Sequence, residues 1–585
     1  MFPMPSNLTK EFVMASIIPD VTQWPSLLMN LAYALSILSL PFIITYTLTA
    51  AQSALAISSK IPQNGASLPV VPYTIPYLGN LISFATNKEA FISKIRRKFG
   101  TGIPLRIKLG TRNLIYVSSP SAMLTLFRHS KDLTTIPSVV RLLQNTFGAP
   151  SSIRKILERD NTGLSQAPLD GSNPLAEKDR YWYNMHRVLH TNLQGTTLEE
   201  LSSRFIKNLE VELEKLCDGL EGDWLDFPDF FELVRRVCFK ASVVALCGPH
   251  IFHLTPNFAD LFWDFDANII DLTHGKPRWL IPEGYRARDR YLAAVKKWNL
   301  FAKENAGDYG DAEWDEFYGS KVMRERTRVL CKVEGYSADM LASQTSGMIW
   351  AANGNIIPAI TWCLIDTLTR PSLLTSVLQE ISSSSGADIL SISALLSSPL
   401  LQSLFSEELR LRTSVTVQRS PQSDFQLGSY TIPKGSVMFS SSWHEQKDPA
   451  IWNESPTLRS PVSHPLTEFW AERFLIYDDD PYSGPSSPST STSPTSKPHL
   501  DTTMKPKFTI APVSGSFIPF GGGKKVCPGR FYAKYEAICG MALFLSMYEI
   551  ELDVKAGEVE MDKKYFFFGV MPPKNKISGR MRRRL

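Results

Sequence analysis

Phe517-Ile518-Pro519-Phe520-Gly521-Gly522-Gly523-Lys524-Lys525-Val526-Cys527-Pro528-Gly529-Arg530 is the segment on which the reading of this chain turns. Three consecutive glycines permit a tight bulged turn whose backbone can approach a flat ligand and hydrogen-bond a sulfur. Pro528 suits the first position of a helix running through Ala533, Ile538 and Ala542. Cys527 then stands at that helix's N-terminus, where the dipole and free N–H groups favour a thiolate. Gly529 removes a Cβ on the side where a macrocycle would lie, and Lys525, two residues before the cysteine, can meet a carboxylate. The competing reading is a glycine-rich loop before a helix with an incidental cysteine.

The rest of the composition narrows the choice. Seven cysteines, odd in number and without a CxxC pair, argue against a disulfide framework and against a structural zinc site. Six of them read as ordinary buried thiols. A net charge of +5 over 585 residues gives no case for nucleic-acid binding. A hydrophobic fraction of 43% with 32 Phe and 12 Trp describes a large apolar interior or an apolar cavity.

Between Asp20 and Lys60 no residue is charged, and Leu27 to Thr49 is long and apolar enough for a transmembrane helix, with Pro41 a site for a kink. Lys10, Glu11 and Asp20 precede it, whereas Lys60, Lys88, Lys94, Arg96, Arg97 and Lys98 follow. The positive-inside rule puts the bulk of the chain in the cytosol. The N-terminus then faces a lumen, where Asn7-Leu8-Thr9 forms a glycosylation sequon. Leu68 to Asn80 carries Pro69, Pro72 and Pro76 and reads as a stiff extended hinge. Leu198 to Leu220 and Ala338 to Ser382 have helical character, while Ile103–Gly110 and Tyr430–Phe439 are strand-like. Asp478 to Lys507, rich in Ser, Thr and Pro, reads as a disordered insertion.

The spacing Phe-x-x-Gly-x-x-x-Cys-x-Gly at Phe520, Gly523, Cys527 and Gly529 resembles the signature of the cytochrome P450 family. The resemblance implies a mainly helical P450 fold with a small β-rich part, and b-type haem with Cys527 as proximal thiolate, a ligand that favours O–O cleavage. It also implies that Phe520, Gly521, Lys525 and Gly529 surround the cofactor. Glu407 and Arg410, at i,i+3 on a helix 120 residues before Cys527, followed by Arg473 in Ala-Glu-Arg-Phe, look like the family's buried Glu-Arg-Arg network. Glu408 with Arg412 is then the solvent-facing pair. Arg419 is a candidate for a haem propionate. The usual Trp-x-x-x-Arg pattern is displaced: Trp182 is four residues before His186 and Tyr183 four before Arg187, so either basic residue can fill that role.

On the distal side the family carries an acid or amide followed by threonine. Here the helix reads Trp350-Ala351-Ala352-Asn353-Gly354-Asn355-Ile356-Ile357-Pro358-Ala359, with Gly354 at the acid position and Asn355 at the threonine position. Pro358 has no N–H to offer the Gly354 carbonyl, so the pattern predicts a kink that can hold water or substrate. It is similar to the branch containing sterol and oxysterol 7-alpha-hydroxylases and prostacyclin synthase. The leading expectation is a single-pass endoplasmic-reticulum monooxygenase of secondary metabolism that oxidises an apolar substrate, such as a sterol or terpenoid, with O2 and electrons from NADPH–cytochrome P450 reductase. A P450-fold isomerase or dehydratase rearranging a peroxide is the alternative, and a non-catalytic haem sensor a third. The expected organisation is a lumenal N-terminus (1–26), a transmembrane helix (27–49), a linker (50–67) and a haem domain (68–585) interrupted by the insertion at 478–507.

Overall fold

The computed structural model describes residues 24–58, 67–217, 222–307, 310–384, 391–486 and 504–584. Asn7 lies outside them. The first element, α1 (Trp24–Ser58), runs as one helix through Pro41. Leu28–Ser58 is apolar and long enough to cross a bilayer, and its side chains are largely exposed. The expected linker at 50–67 therefore begins as a continuation of this helix. Its last turns touch the rest of the chain: Thr49 and Ser53 are buried, and Thr49 Oγ1 accepts from the Tyr73 amide at 3.3 Å.

The helices that position the site are α2 (Tyr181–Asn192), α3 (Phe230–Cys247), α4 (Phe258–Thr273), α5 (Lys321–Lys332), α6 (Ala338–Asn353), α7 (Ile356–Leu368), α8 (Pro399–Arg412) and α9 (Arg530–Met547). Helix α7 is the centre of the core, with every residue from Ile356 to Thr367 buried. A helix apolar on all sides must be enclosed by others, and α7 packs against α3, α8 and α9. Helices α6 and α7 are two halves of one apolar run, broken at Gly354 and Asn355. The break falls where Pro358 withdraws a backbone donor.

A mixed sheet stands beside the helices. Its strands β1 (Leu105–Leu109), β2 (Arg112–Tyr116), β3 (Leu133–Thr134), β4 (Thr413–Pro421), β5 (Val437–Ser441) and β6 (Phe568–Val570) run in the order β1-β2-β5-β4-β6, with β3 also paired to β4. The β2–β5 pair is parallel and the others are antiparallel. Strand β4 follows α8 directly, so the sheet carries Arg419 away from the Glu407 region toward the glycine loop. The proline-rich hinge lies along the sheet edge, Arg106 N–H donating to the Pro69 carbonyl and Val71 N–H to the Arg106 carbonyl, both at 2.8 Å.

Two expectations need correction. Residues 478–486 and 504–507, counted with the disordered insertion, are ordered: Asp480 is buried and accepts from the Leu458, Arg459 and Tyr482 amides, and Lys507 pairs with Asp478 at 2.7 Å. Glu408 and Arg412 do not face solvent. They are 1% and 8% exposed, and Arg412 donates to Asp366 at 2.8 Å while its guanidinium lies 3.9 Å from the Trp362 ring centre. Helix α8 is enclosed from Leu401 almost throughout, so an i,i+4 pair on it has no wet face to occupy.

Candidate active site

The loop around Cys527 is held by its own backbone. The Cys527 amide donates to the Phe520 carbonyl at 3.0 Å, and Val526 N–H donates to the Gly523 carbonyl at 3.1 Å. Gly521 and Gly523 both sit at φ +69°, which side chains rarely adopt. At Gly523 a Cβ would also lie 2.6 Å from the Phe127 carbonyl oxygen and 2.8 Å from Ser130 Oγ. Helix α9 begins at Arg530 with Gly529 as its cap. Pro528 thus precedes the helix instead of occupying its first position.

The Cys527 side chain is exposed, whereas Cys238, Cys247, Cys363 and Cys539 are buried. Although the side chain keeps an exposed edge, the surrounding protein desolvates the sulfur and pushes its thiol above the ordinary range, opposed by the Gly529 and Arg530 amides and the Arg530 charge. The helix start alone does not make a thiolate here. A metal at the sulfur would supply the missing positive charge, since coordination deprotonates a thiol outright.

Cations converge on the same loop. Arg419 is buried and donates to the Gly522 carbonyl at 3.0 Å and the Gln418 carbonyl at 2.8 Å, leaving its buried Nε without a partner. Lys525 Nζ donates to the Leu133 carbonyl at 2.8 Å. Burial, with Arg419 beside it, pushes the Lys525 ammonium down to about 7. Neither cation has a carboxylate partner among the described residues. His186 Nε2 lies 3.0 Å from the Lys524 carbonyl, while Arg187 turns to Asn184 Oδ1 at 3.3 Å and to Glu177 at 3.8 Å. The structure therefore brings His186, Arg419 and Lys525 to the loop and leaves Arg187 outside it.

These residues fit a flat macrocycle with two acidic arms. A Cβ built on Gly529 meets only Cys527 Sγ, at 3.9 Å, so a side chain at 529 would stand beside the sulfur. The two cations lacking acid partners suit a pair of propionates. A cavity of about 410 Å³ opens between the loop and the distal helix, walled by Val526 and Pro528 on one side, Met348 and Ala351 on the other, and Phe147 and Met185. Its size and apolar lining are those of a small-molecule chamber.

Gly354 and Asn355 do not line this cavity. Asn355 Oδ1 accepts from the Val570 amide at 3.0 Å, tying the broken distal helix to β6. Gly354 faces a second cavity of about 60 Å³ with Pro358, Asp266, Arg235, Trp263 and Tyr565. The glycine has a steric cause: a Cβ at 354 would lie 2.7 Å from the Trp350 indole. Trp350 is held in that place by Asp266, which accepts from its Nε1 at 2.8 Å and from Tyr565 Oη at 3.1 Å. Asp266 belongs to no motif, and its contact with Trp350 spans 84 residues, so nothing in the sequence marks it.

Burial pushes the Asp266 carboxyl up to about 6, against the hydrogen bonds from Trp350 and Tyr565. The folded protein then keeps a proton over a range where the unfolded chain, with an Asp pKa near ~3.9, has released it. Stability from this group is present at low pH and falls as pH rises from about 4 to about 6, by on the order of 3 kcal/mol. Asp266→Asn is expected to remove that slope, which urea midpoints measured across the range will show.

Behind the loop, Glu407, Arg410 and Arg473 are wholly buried and joined. Arg410 Nε and Nη2 donate to Glu407 at 2.6 and 2.9 Å, and Arg473 Nε donates to Glu407 Oε1 at 3.0 Å. The Trp470 amide adds a further bond to the same oxygen at 3.2 Å. Arg410 also meets the Gln446 and Leu466 carbonyls, and Arg473 the Asn453 carbonyl. Gln446 Oε1 accepts from the Ile518 amide at 3.3 Å, which connects the network to the start of the cysteine loop.

A helical fold with this loop, network and cavity defines a haem-thiolate protein class, and comparison agrees. The cytochrome P450 family profile matches residues 156–458. The chain belongs to the cytochrome P450 family, which implies a haem iron, and it is a monooxygenase-type oxidoreductase. It is 33% identical to cytochrome P450 monooxygenase fsoE of Humicola fuscoatra over 88% of this chain and 87% of that protein. It is 31% identical to cytochrome P450 monooxygenase efuG of Hormonema carpetanum over 94% and 96%. Cholesterol 7-alpha-monooxygenase of Cricetulus griseus is 24% identical over 86% and 91%.

Proposed function

We propose that this monooxygenase oxidises an apolar substrate of the sterol, terpenoid or secondary-metabolite kind, using O2 and NADPH-derived electrons delivered by NADPH–cytochrome P450 reductase. The observation that carries the reading is an apolar cavity lined at once by the loop before α9 and by the face of α6 bearing Met348 and Ala351. A b-type haem held by Cys527 beside this cavity would supply oxygen activation. Arg419, Lys525 and His186 hold its propionates, Phe520 and Gly521 shape the loop, and Gly529 keeps the sulfur's side open. Glu407, Arg410 and Arg473 fix the segment behind the loop.

Asn355 and the Gly354 carbonyl order water at the helix break, outside the main cavity. Asn355 Oδ1 is engaged by Val570, so its Nδ2 is the group left to donate. Phe147, Met185 and their apolar neighbours exclude bulk water from the reacting carbon. Helix α1 anchors the enzyme as a single pass in the endoplasmic-reticulum membrane with the haem domain (68–585) cytosolic and residues 1–26 lumenal, where Asn7 is the glycosylation acceptor. The 24%-identical sterol 7-alpha-monooxygenase supports a sterol-like substrate skeleton.

Microsomes containing the enzyme and a reductase, supplied with candidate lipids, are expected to form oxidised product only when NADPH is present. Product formed without NADPH and reductase would sink this reading in favour of peroxide rearrangement.

A further inference from the structure

Seven arginines are buried among the described residues, and their partners differ in an informative way. Arg324 pairs with Asp315 at 2.7 Å, Arg410 and Arg473 pair with Glu407, and Arg412 pairs with Asp366. Arg180 spends Nε, Nη1 and Nη2 on the Thr162 hydroxyl and the Gln166 and Ser165 carbonyls. Arg419 faces the cysteine loop. Arg326, on α5 and 3% exposed, remains: it lines the main cavity beside Gln344 of α6.

Arg326 Nη2 donates to the Gln344 carbonyl at 2.7 Å and to Gln344 Oε1 at 3.2 Å, whereas its buried Nη1 has no partner. Gln344 Nε2 in turn donates to Tyr181 Oη at 2.6 Å, which leaves the Tyr181 proton free to point elsewhere. Gln344 and Tyr181 line the same cavity. The one acid on this part of the wall, Asp160, is engaged by the Thr162 amide and hydroxyl and by the Trp182 amide. The Tyr336 hydroxyl lies close enough to Gln344 and Arg326 to act on both. The cluster is thus rich in donors, carries one full positive charge, and contains no free anionic acceptor among the described residues.

We propose that Arg326, seated by Gln344 and flanked by Tyr181, is a substrate-anchoring residue, and that the substrate is a carboxylic acid on an otherwise apolar skeleton. This rests on reading the main cavity as the substrate chamber and refines its substrate class. A ketone or alcohol would satisfy one N–H yet leave a buried cation uncompensated, while a carboxylate meets both the donor and the charge. Gln344, Met348 and Ala351 stand at i, i+4 and i+7 on one face of α6, so the anchor lies about 10 Å along the helix from Ala351.

The test measures binding to the haem-loaded enzyme by equilibrium dialysis, with palmitic acid, cholanic acid and a triterpene acid, each beside its methyl ester. At least one acid is expected to bind the wild type roughly 10- to 100-fold more tightly than its ester, the worth of a charged hydrogen-bonded contact. Arg326→Met should abolish that preference by weakening acid binding far more than ester binding, and Arg326→Lys should restore part of it. Without ligand, Arg326→Met should melt no lower than wild type, since it removes an uncompensated buried cation. Absence of any acid preference, or its persistence in Arg326→Met, overturns the proposal, as does a large fall in the melting temperature of the free variant. Ester oxidation that depends on NADPH in the same preparations would leave the monooxygenase reading standing when the anchor fails.

Discussion

Cys527→Ser is expected to abolish the red-shifted ferrous–CO band typical of a thiolate-bound haem and to remove all NADPH-dependent product, while leaving the fold intact. The expectation of an intact fold follows from geometry. The Cys527 side chain is exposed, and what holds the loop is its amide, which donates to the Phe520 carbonyl at 3.0 Å and survives the substitution. A change that removes no buried contact costs within about 0.5 kcal/mol, so the melting temperature of the haem-free variant should match wild type. The other described thiols serve as controls. Burial pushes Cys238, Cys247 and Cys363 well above the ordinary thiol range and Cys539 up to about 12. Cys331 is exposed but lies on α5 outside the cavity. Cys331→Ser should therefore leave the band unchanged. A persistent band in Cys527→Ser would refute the ligand assignment.

How much of this site could be read beforehand depends on how far apart its contacts lie in the chain. The cysteine loop was legible because its chemistry is local: a turn, a sulfur and a helix start within fourteen residues. Even there the helix begins two residues later than Pro528 suggested, and burial outweighs the dipole at the thiol. The displaced Trp182–His186 and Tyr183–Arg187 spacings left two candidates on adjacent positions of one helix. Only the packing of α2 against the loop separates them, sending His186 inward and Arg187 outward. Glu408 and Arg412 were misread for a related reason: helical spacing says that two side chains meet, and says nothing of whether the shared face is wet. Asp266 and Arg326 were illegible altogether. One acts on Trp350 from another helix, and the other is defined by the lack of a carboxylate within reach, a property of three-dimensional surroundings alone.

Glu407→Leu is expected to cost at least about 3–5 kcal/mol of folding stability, the range for breaking a buried ion pair by removing one partner. The effect should sit at or above the top of that range because one carboxylate serves two guanidiniums, and an aliphatic side chain in its place would leave Arg410 and Arg473 both buried and charged without a counterion. Glu407→Gln preserves shape and one acceptor oxygen, so it should fall between wild type and Glu407→Leu. An exposed pair such as Arg154–Glu158, broken in the same background, should change stability by less than about 1 kcal/mol. Burial alone would raise the Glu407 carboxyl, but the charges of Arg410 and Arg473 hold it below its usual range. Its contribution is therefore present above the unfolded Glu pKa of ~4.3 and is lost as pH falls through the lower folded value. Glu407→Gln should lack that acid limb. Because Gln446 links Arg410 to the Ile518 amide, the damage should reach the cysteine loop: haem retained after gel filtration should drop in Glu407→Gln at a temperature where the protein remains folded. Denaturation midpoints for the three proteins, read with their haem content, decide the point. Equal midpoints for wild type and Glu407→Leu would mean that the network contributes nothing to stability, and the packing of Trp452 and Phe474 around it would have to hold the segment instead.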